Sequence, residues 1–156
     1  MITLDVKPFE QTKGLCGPAS LKMVLEYFGI DKTEKELAKI SGANSSRGSS
    51  AKGLIRAAKK SGLKGFVKDF CELKDIEKYV LIKKIPVIVD WFSVDDGHYS
   101  VVVGIDKENI YLQDPEWGEM RAMDLETFKR VWFDFPGDFI TSKKELNVRR
   151  IIVIEK

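Results

Sequence analysis

The feature that most limits the fold is a change of hydrophobic rhythm part-way along the chain. Up to Val80 apolar residues recur mainly at helical spacing; from Val87 onward they come in β-branched runs. Leu21, Val24, Leu25 and Phe28 fall at i, i+3, i+4, i+7, with Gly29 where a C-terminal cap belongs. Pro18 is tolerated in this helix because the first turn has no internal partner for the missing N–H, which puts Cys16 at or just before the helix start. Thr33-Glu34-Lys35-Glu36 reads as a capping box opening a short helix through Leu37 and Ile40 to Gly42. After a polar loop over 44–50, Ala51, Leu54, Ile55 and Ala58 predict a third helix ending at Gly62. A short strand is expected over 63–67, and a fourth helix carrying Leu73, Ile76 and Val80 ends before Pro86.

Strands dominate the remainder. Val87-Ile88-Val89 follows Pro86, which a strand admits at its first position. Asp95-Asp96-Gly97 is turn chemistry. Residues 98–105 contain Val101-Val102-Val103 and read as a buried strand, with Gly104 marking a bulge or a close backbone approach. A hairpin partner follows over 110–113, then a helix over 124–132 capped by Asp124, and a last strand over 148–154. Helices first and strands later predict an α+β domain with an antiparallel sheet. The length, 156 residues, fits one domain spanning 1–156 and can bury a core without staples.

Charge and cysteine usage exclude several functions. The 26 Lys+Arg nearly balance 24 Asp+Glu, leaving +2 and no basic field, so nucleic acid is not expected as a partner. Lys143-Lys144 and Arg149-Arg150 read as solvated surface, and Asp90, Asp95 and Asp96 as solvated turn carboxylates without the spacing of a calcium loop. No apolar run nears the roughly 20 residues of a membrane span, and the first residues are not a signal peptide. Two Cys and one His make neither a disulfide scaffold nor a closed zinc site. Free thiols fit a reducing compartment, hence a cytoplasmic location. Cys71 reads as a structural thiol, and Trp91, Trp117 and Trp132 as core or cleft-wall aromatics.

Three polar residues occupy places that local folding does not demand. Cys16 opens a helix, His98 opens a strand and Asp114 closes the next strand. These types serve thiol nucleophilic catalysis: a thiolate attacks a carbonyl, an imidazole carries the proton, and a carboxylate fixes the imidazole. The positive end of a helix favours thiolate. The hairpin puts His98 and Asp114 at the same end of two paired strands, within reach if the register allows. Gln11, five residues before Cys16, could donate a hydrogen bond to an oxyanion, with the Cys16 N–H as second donor. No cofactor or metal is needed.

The segment Gln11-Thr12-Lys13-Gly14-Leu15-Cys16-Gly17-Pro18-Ala19-Ser20 resembles the active-site segment of the bacteriocin-processing cysteine peptidases. These are the double-glycine leader peptidases, papain-like in fold. Gly97-His98-Tyr99 before Val101-Val102-Val103-Gly104 is similar to that family's histidine segment. Asp114-Pro115 with Trp117-Gly118 resembles its Asp-Pro segment, and Asp124-Leu125, Phe128 and Trp132 follow its later pattern. The resemblance implies Cys16 as nucleophile, His98 as general base and acid, Asp114 as the orienting residue and Gln11 in the oxyanion hole. It implies a peptide or protein substrate, and an ABC transporter partner outside this chain, because the sequence has neither a membrane segment nor an ATP-binding motif. The chain is expected to be either a stand-alone relative or a domain excised from such a transporter. Leu15 departs from the acidic residue that members often carry before the cysteine. A thiol acyltransferase would use the same residues, and a peptide-binding module of the same fold could keep the cleft without the chemistry.

Overall fold

The computed structural model describes residues 2–46, 48–93 and 96–156. Arg47, in the predicted polar loop, and Asp95, in the predicted turn, lie outside them.

The helical periodicities become α1 (Cys16–Tyr27), α2 (Glu34–Ser41) and α3 (Ala51–Lys60). Thr33 caps α2 through a complete capping box: its side chain accepts from Glu36 N–H, and the Glu36 carboxylate accepts from Thr33 N–H. Ser50 caps α3 by accepting from Gly53 N–H. Next come β1 (Lys64–Lys68) and α4 (Leu73–Glu77). The predicted fourth helix does not stay α-helical: its second half, Lys78–Ile82, widens into a π-turn. β2 (Val87–Phe92), β3 (Gly97–Ile105), β4 (Asn109–Asp114) and β5 (Glu119–Asp124) follow, then α5 (Leu125–Val131). The chain finishes with β6 (Phe133–Asp134), β7 (Asn147–Val148) and β8 (Arg150–Glu155).

β5 and β6 carry no strand pattern in the sequence, and the strand expected over 148–154 is split, Val148 closing β7 and β8 starting at Arg150. β5 is a polar edge strand, and β6 and β7 are two-residue strands that pair only with each other. The main sheet has the order β1-β8-β2-β3-β4-β5 with every pairing antiparallel. The last strand therefore inserts between β1 and β2, which is why Ile151, Ile152, Val153 and Ile154 are all fully buried.

The sheet separates two cores. On one face Ile88, Val101, Val103, Ile152 and Ile154 pack against Leu21, Val24 and Leu25 of α1, Leu37 of α2 and Leu54 of α3. On the other, Val87, Val89, Val102, Leu112 and Val153 pack against Ile76 and Val80 and against Phe128 and Trp132. The predicted α+β architecture, helices on an antiparallel sheet, is the observed one, with a second helical layer on the far face. Gly104 fulfils both readings made of it. The β3–β4 register slips between Val102 and Gly104, and a Cβ there would lie 2.9 Å from Thr3 Cγ2 of the N-terminal segment. No helix among the described residues is long and apolar enough to cross a membrane.

Candidate active site

Chain geometry brings the four predicted residues to one end of the sheet. The N-terminal segment runs along β3 and β4, held by Leu4 N–H on Val103 O and by the buried Gln113 amide on Val6 O. It reaches Gln11, whose N–H donates to Pro115 O at 2.8 Å, one residue past Asp114. A tight turn, Leu15 N–H to Thr12 O, then delivers Cys16 as the first residue of α1. The first N–H groups of a helix have no intrahelical acceptor, so they are available to an anion there.

Antiparallel pairing places the start of β3 beside the end of β4. His98 Nε2 meets Asp114 Oδ1 at 2.6 Å, with both side chains buried. Cys16 lies close enough to interact with the imidazole, and since Nε2 is engaged by Asp114, Nδ1 is the nitrogen left for the sulfur. Tyr99 N–H donates to Cys16 Sγ at 3.4 Å. The Trp91 ring stands edge-on to His98 at 5.5 Å between centroids, fixed by its Nε1–H on Ser100 Oγ.

Charge follows from these partners. Burial opposes charging His98. The hydrogen bond to Asp114 and the interactions with Cys16 and the Asp114 carboxylate outweigh it and raise the imidazole pKa to about 10. Burial also works against ionised Asp114. The His98 bond and charge, Glu116 N–H at 3.0 Å and Arg121 Nη1 at 3.1 Å together hold it below the ordinary carboxylate value.

His98, Asp114 and Glu116 are the one group among the described residues whose ligand atoms converge as a metal site would require. Their geometry is that of an acid–base pair instead. The 2.6 Å contact closes the space between Nε2 and Oδ1, and Arg121 occupies the second carboxylate oxygen.

Other expectations divide. Cys71 is fully buried, its Sγ 3.5 Å from Lys68 O, and burial pushes its thiol up to about 11. Trp91 and Trp132 are core residues; Trp117 is 52% exposed. Asp96 is an exposed turn residue that accepts from Gly97 N–H. Asp90 is not a solvated turn carboxylate: it lies within β2 and is 2% exposed. Lys143 and Lys144 are exposed, but Arg149 and Arg150 are half-buried and bonded. Arg149 Nε donates to Cys71 O, and Arg150 forks onto Asp69 at 2.6 and 3.0 Å. These arginines tie β8 to the segment after β1, a pairing no local sequence pattern announces. Arg121 is the site residue that sequence reasoning missed. It stands in the strand that was itself unpredicted, though its position seven residues after Asp114 suits an adjacent strand across a short turn.

The sequence model of the Peptidase_C39 like family matches residues 3–137. An uncharacterized protein of Methanothermobacter thermautotrophicus is 37% identical over 118 residues, 75% of this chain and 75% of that protein. The peptidase domain of Streptococcus ComA, a bi-functional ABC transporter involved in quorum sensing, superposes with a TM-score of 0.75. It shares 23% identity over 96% of this chain and 98% of that one. A double glycine motif protease from an AMS/PCAT transporter, solved with its leader peptide, gives a TM-score of 0.68 at 21% identity. That match covers 99% of each chain. At these identities the solved structures establish a common fold.

Proposed function

The chain belongs to the Peptidase C39-like family, and on that premise we propose that it is a cysteine peptidase working through Cys16, His98, Asp114 and Gln11. The observation that carries the reading is the imidazole of His98, bonded to Asp114 at 2.6 Å, with Cys16, held by the N–H of the next residue Tyr99, beside it. A thiolate–imidazolium pair is the proposed resting state, because an imidazolium beside a thiol favours its ionisation.

The steps then follow. The Cys16 thiolate attacks the scissile carbonyl carbon, and the π electron pair moves onto oxygen. The Cys16 N–H and the Gln11 amide hold that oxyanion; one such donor contributes about 3 kcal/mol to transition-state stabilisation. As the C–N bond breaks, His98 gives its proton to the departing amine and a thioester remains. Water then loses a proton to His98 and adds to the thioester carbonyl. Expulsion of the Cys16 thiolate releases the carboxyl product and restores the pair. Asp114 stays ionised throughout and keeps the ring oriented.

The substrate is a peptide, with cleavage after a double glycine as the specific form that the family resemblance supports. A transporter partner and a cytoplasmic setting belong to the same reading. The test is mass-spectrometric cleavage of a peptide library containing Gly-Gly sequences, with Cys16→Ala as control. It is paired with iodoacetamide alkylation of Cys16 from pH 4 to 9 in a Cys71→Ser background. The expected result is cleavage abolished by Cys16→Ala, and alkylation that is already fast near pH 5 but slow there in His98→Ala. An unperturbed thiol would instead gain reactivity around pH 8.5. Full cleavage by Cys16→Ala would sink the proposal.

A further inference from the structure

β5 offers little to a core. Its residues are mostly exposed, and it closes the sheet at an open edge. One of its side chains nonetheless turns inward. Arg121 stands opposite Leu112 in the β4–β5 register, and its Nη1 donates to Asp114 Oδ2 at 3.1 Å. That is the carboxylate oxygen His98 does not use.

The guanidinium is fixed by aromatic faces. Its centre lies 3.7 Å from the Trp117 ring centroid and 5.6 Å from that of Trp91, the ring that also stands against His98. Trp117 belongs to the turn after Asp114, held by Trp117 N–H and Gly118 N–H on Asp114 O at 3.1 and 2.9 Å. Arg121 Nε is buried without a partner among the described residues. A surface arginine placed only for solubility would not give up that donor to water, so the side chain is aimed at the carboxylate.

The groups facing the His98 imidazole can be named from each packed element. Cys16 comes from α1 and Asp114 from β4. Glu116 comes from the β4–β5 turn, its Oε2 3.9 Å from Nε2. Trp91 comes from β2. All the charged ones are potential anions that stabilise imidazolium. Unopposed, they would bind the proton too firmly for the general-acid step, which works best with a pKa near the working pH. Arg121, one carboxylate away, is the opposing charge.

We infer that Arg121 is a positioning residue for the His98–Asp114 pair: it locks the Asp114 carboxylate toward Nε2 and, as a fixed cation, limits how tightly the imidazolium holds its proton. The inference rests on the proposed role of His98 as proton carrier, and its test separates the two. His98 is the single histidine of the chain, so its imidazole NMR signals need no assignment among rivals. The titration is followed in a Cys16→Ala background, where the thiolate no longer contributes.

Adding Arg121→Gln should move the His98 pKa upward by about one unit, because one cation near the ring is gone. Arg121→Lys in the same background should return it to the Cys16→Ala position. A role confined to stability would lower the unfolding temperature and leave the titration where it was. An unchanged or lower His98 pKa in Arg121→Gln overturns the inference. If that variant does not fold, Trp117→Leu loosens the guanidinium from the exposed side and should give a smaller shift in the same direction; no shift there overturns it equally. Cys16→Ala with Asp114→Asn must titrate below Cys16→Ala alone. If it does not, the His98–Asp114 reading itself fails, whatever Arg121 does.

Discussion

Asp114 and Asp90 flank the same strand and are about equally hidden, at 1% and 2% exposure, yet they hold opposite charge preferences. Asp114, at the end of β4, accepts from His98, Arg121 and Glu116 N–H, and these partners keep it ionised. Asp90, in β2 opposite Tyr99, accepts on Oδ2 from Asn147 Nδ2 at 3.3 Å, its one N–H donor among the described residues. Among the described residues no N–H or O–H reaches Oδ1, and the nearby acid is Asp134. Burial first, then the Asp134 bond and charge, push the Asp90 carboxyl well above its ordinary value; Asp134 is raised as well. Two buried carboxyls this close resist ionising together, which is why both are raised. Burial does not by itself decide the charge of a carboxyl. The supply of donors does.

The largest expected effect comes from removing the well-supplied carboxylate. Asp114→Ala strips His98 of its orienting partner and leaves the Arg121 guanidinium without its anion. Cleavage should fall by about 10²-fold or more, since the ring is no longer held toward Cys16. Stability should fall by about 3 kcal/mol, read from urea midpoints at pH 7. Asp114→Asn keeps the shape and an acceptor for His98, and a Cys-His-Asn arrangement is itself workable in papain-like peptidases. It should retain far more activity than Asp114→Ala. Equal losses would mean that the charge, not the orientation, is what His98 requires.

A smaller effect is read at the imidazole. The His98 pKa lies at about 10 in the fold against 6.5 for the free side chain. Its contribution to stability is therefore fully present below pH 6.5 and is lost as pH rises through 10. Unfolding free energy should drop by about 2–4 kcal/mol between pH 6.5 and 10, and by much less in His98→Gln. A wild-type curve as flat as that of the variant would break the link between Asp114's donors and the charge on His98.

What the sequence disclosed follows the same division between local and non-local causes. α2 was legible because its capping box is written within four residues, and α1 because its apolar stripe and Gly29 are consecutive signals. Cys16, His98 and Asp114 were legible because each sits at the end of an element that local patterns define. β5 was not: Glu119, Met120, Arg121 and Ala122 have no strand preference, and only pairing with β4 makes them a strand. Arg121 was hidden with it. Asp90 beside Trp91 looked like the approach to a turn, because its burial depends on β6, more than forty residues on. The central place of β8 is likewise a long-range pairing, with β1 on one side and β2 on the other.

The smallest effect comes from the carboxyl that lacks donors. In Asp90→Asn the new amide N–H can donate to Asp134 where wild type has a second carboxyl, and its carbonyl can still accept from Asn147. Asp90 has a folded pKa above its unfolded one, so wild type loses stability as pH rises above the unfolded carboxylate value, near 4. The variant has no such loss at position 90. It should therefore be more stable than wild type by about 1 kcal/mol at pH 8, with the advantage shrinking towards pH 4, where Asp90 is already protonated in both states. Gly97 faces Asp134: a Cβ there would collide with the Asp134 carboxylate oxygens, so the acid packs directly on the residue before His98. The gain in stability should consequently come without displacement of His98, and the His98 NMR titration of Asp90→Asn should overlay that of wild type. Urea unfolding of both proteins at pH 5 and pH 8 decides the matter. A variant less stable at pH 8 would mean that Asp90 is ionised in the fold, held there by Arg150 opposite it on β8, and the contrast with Asp114 would collapse.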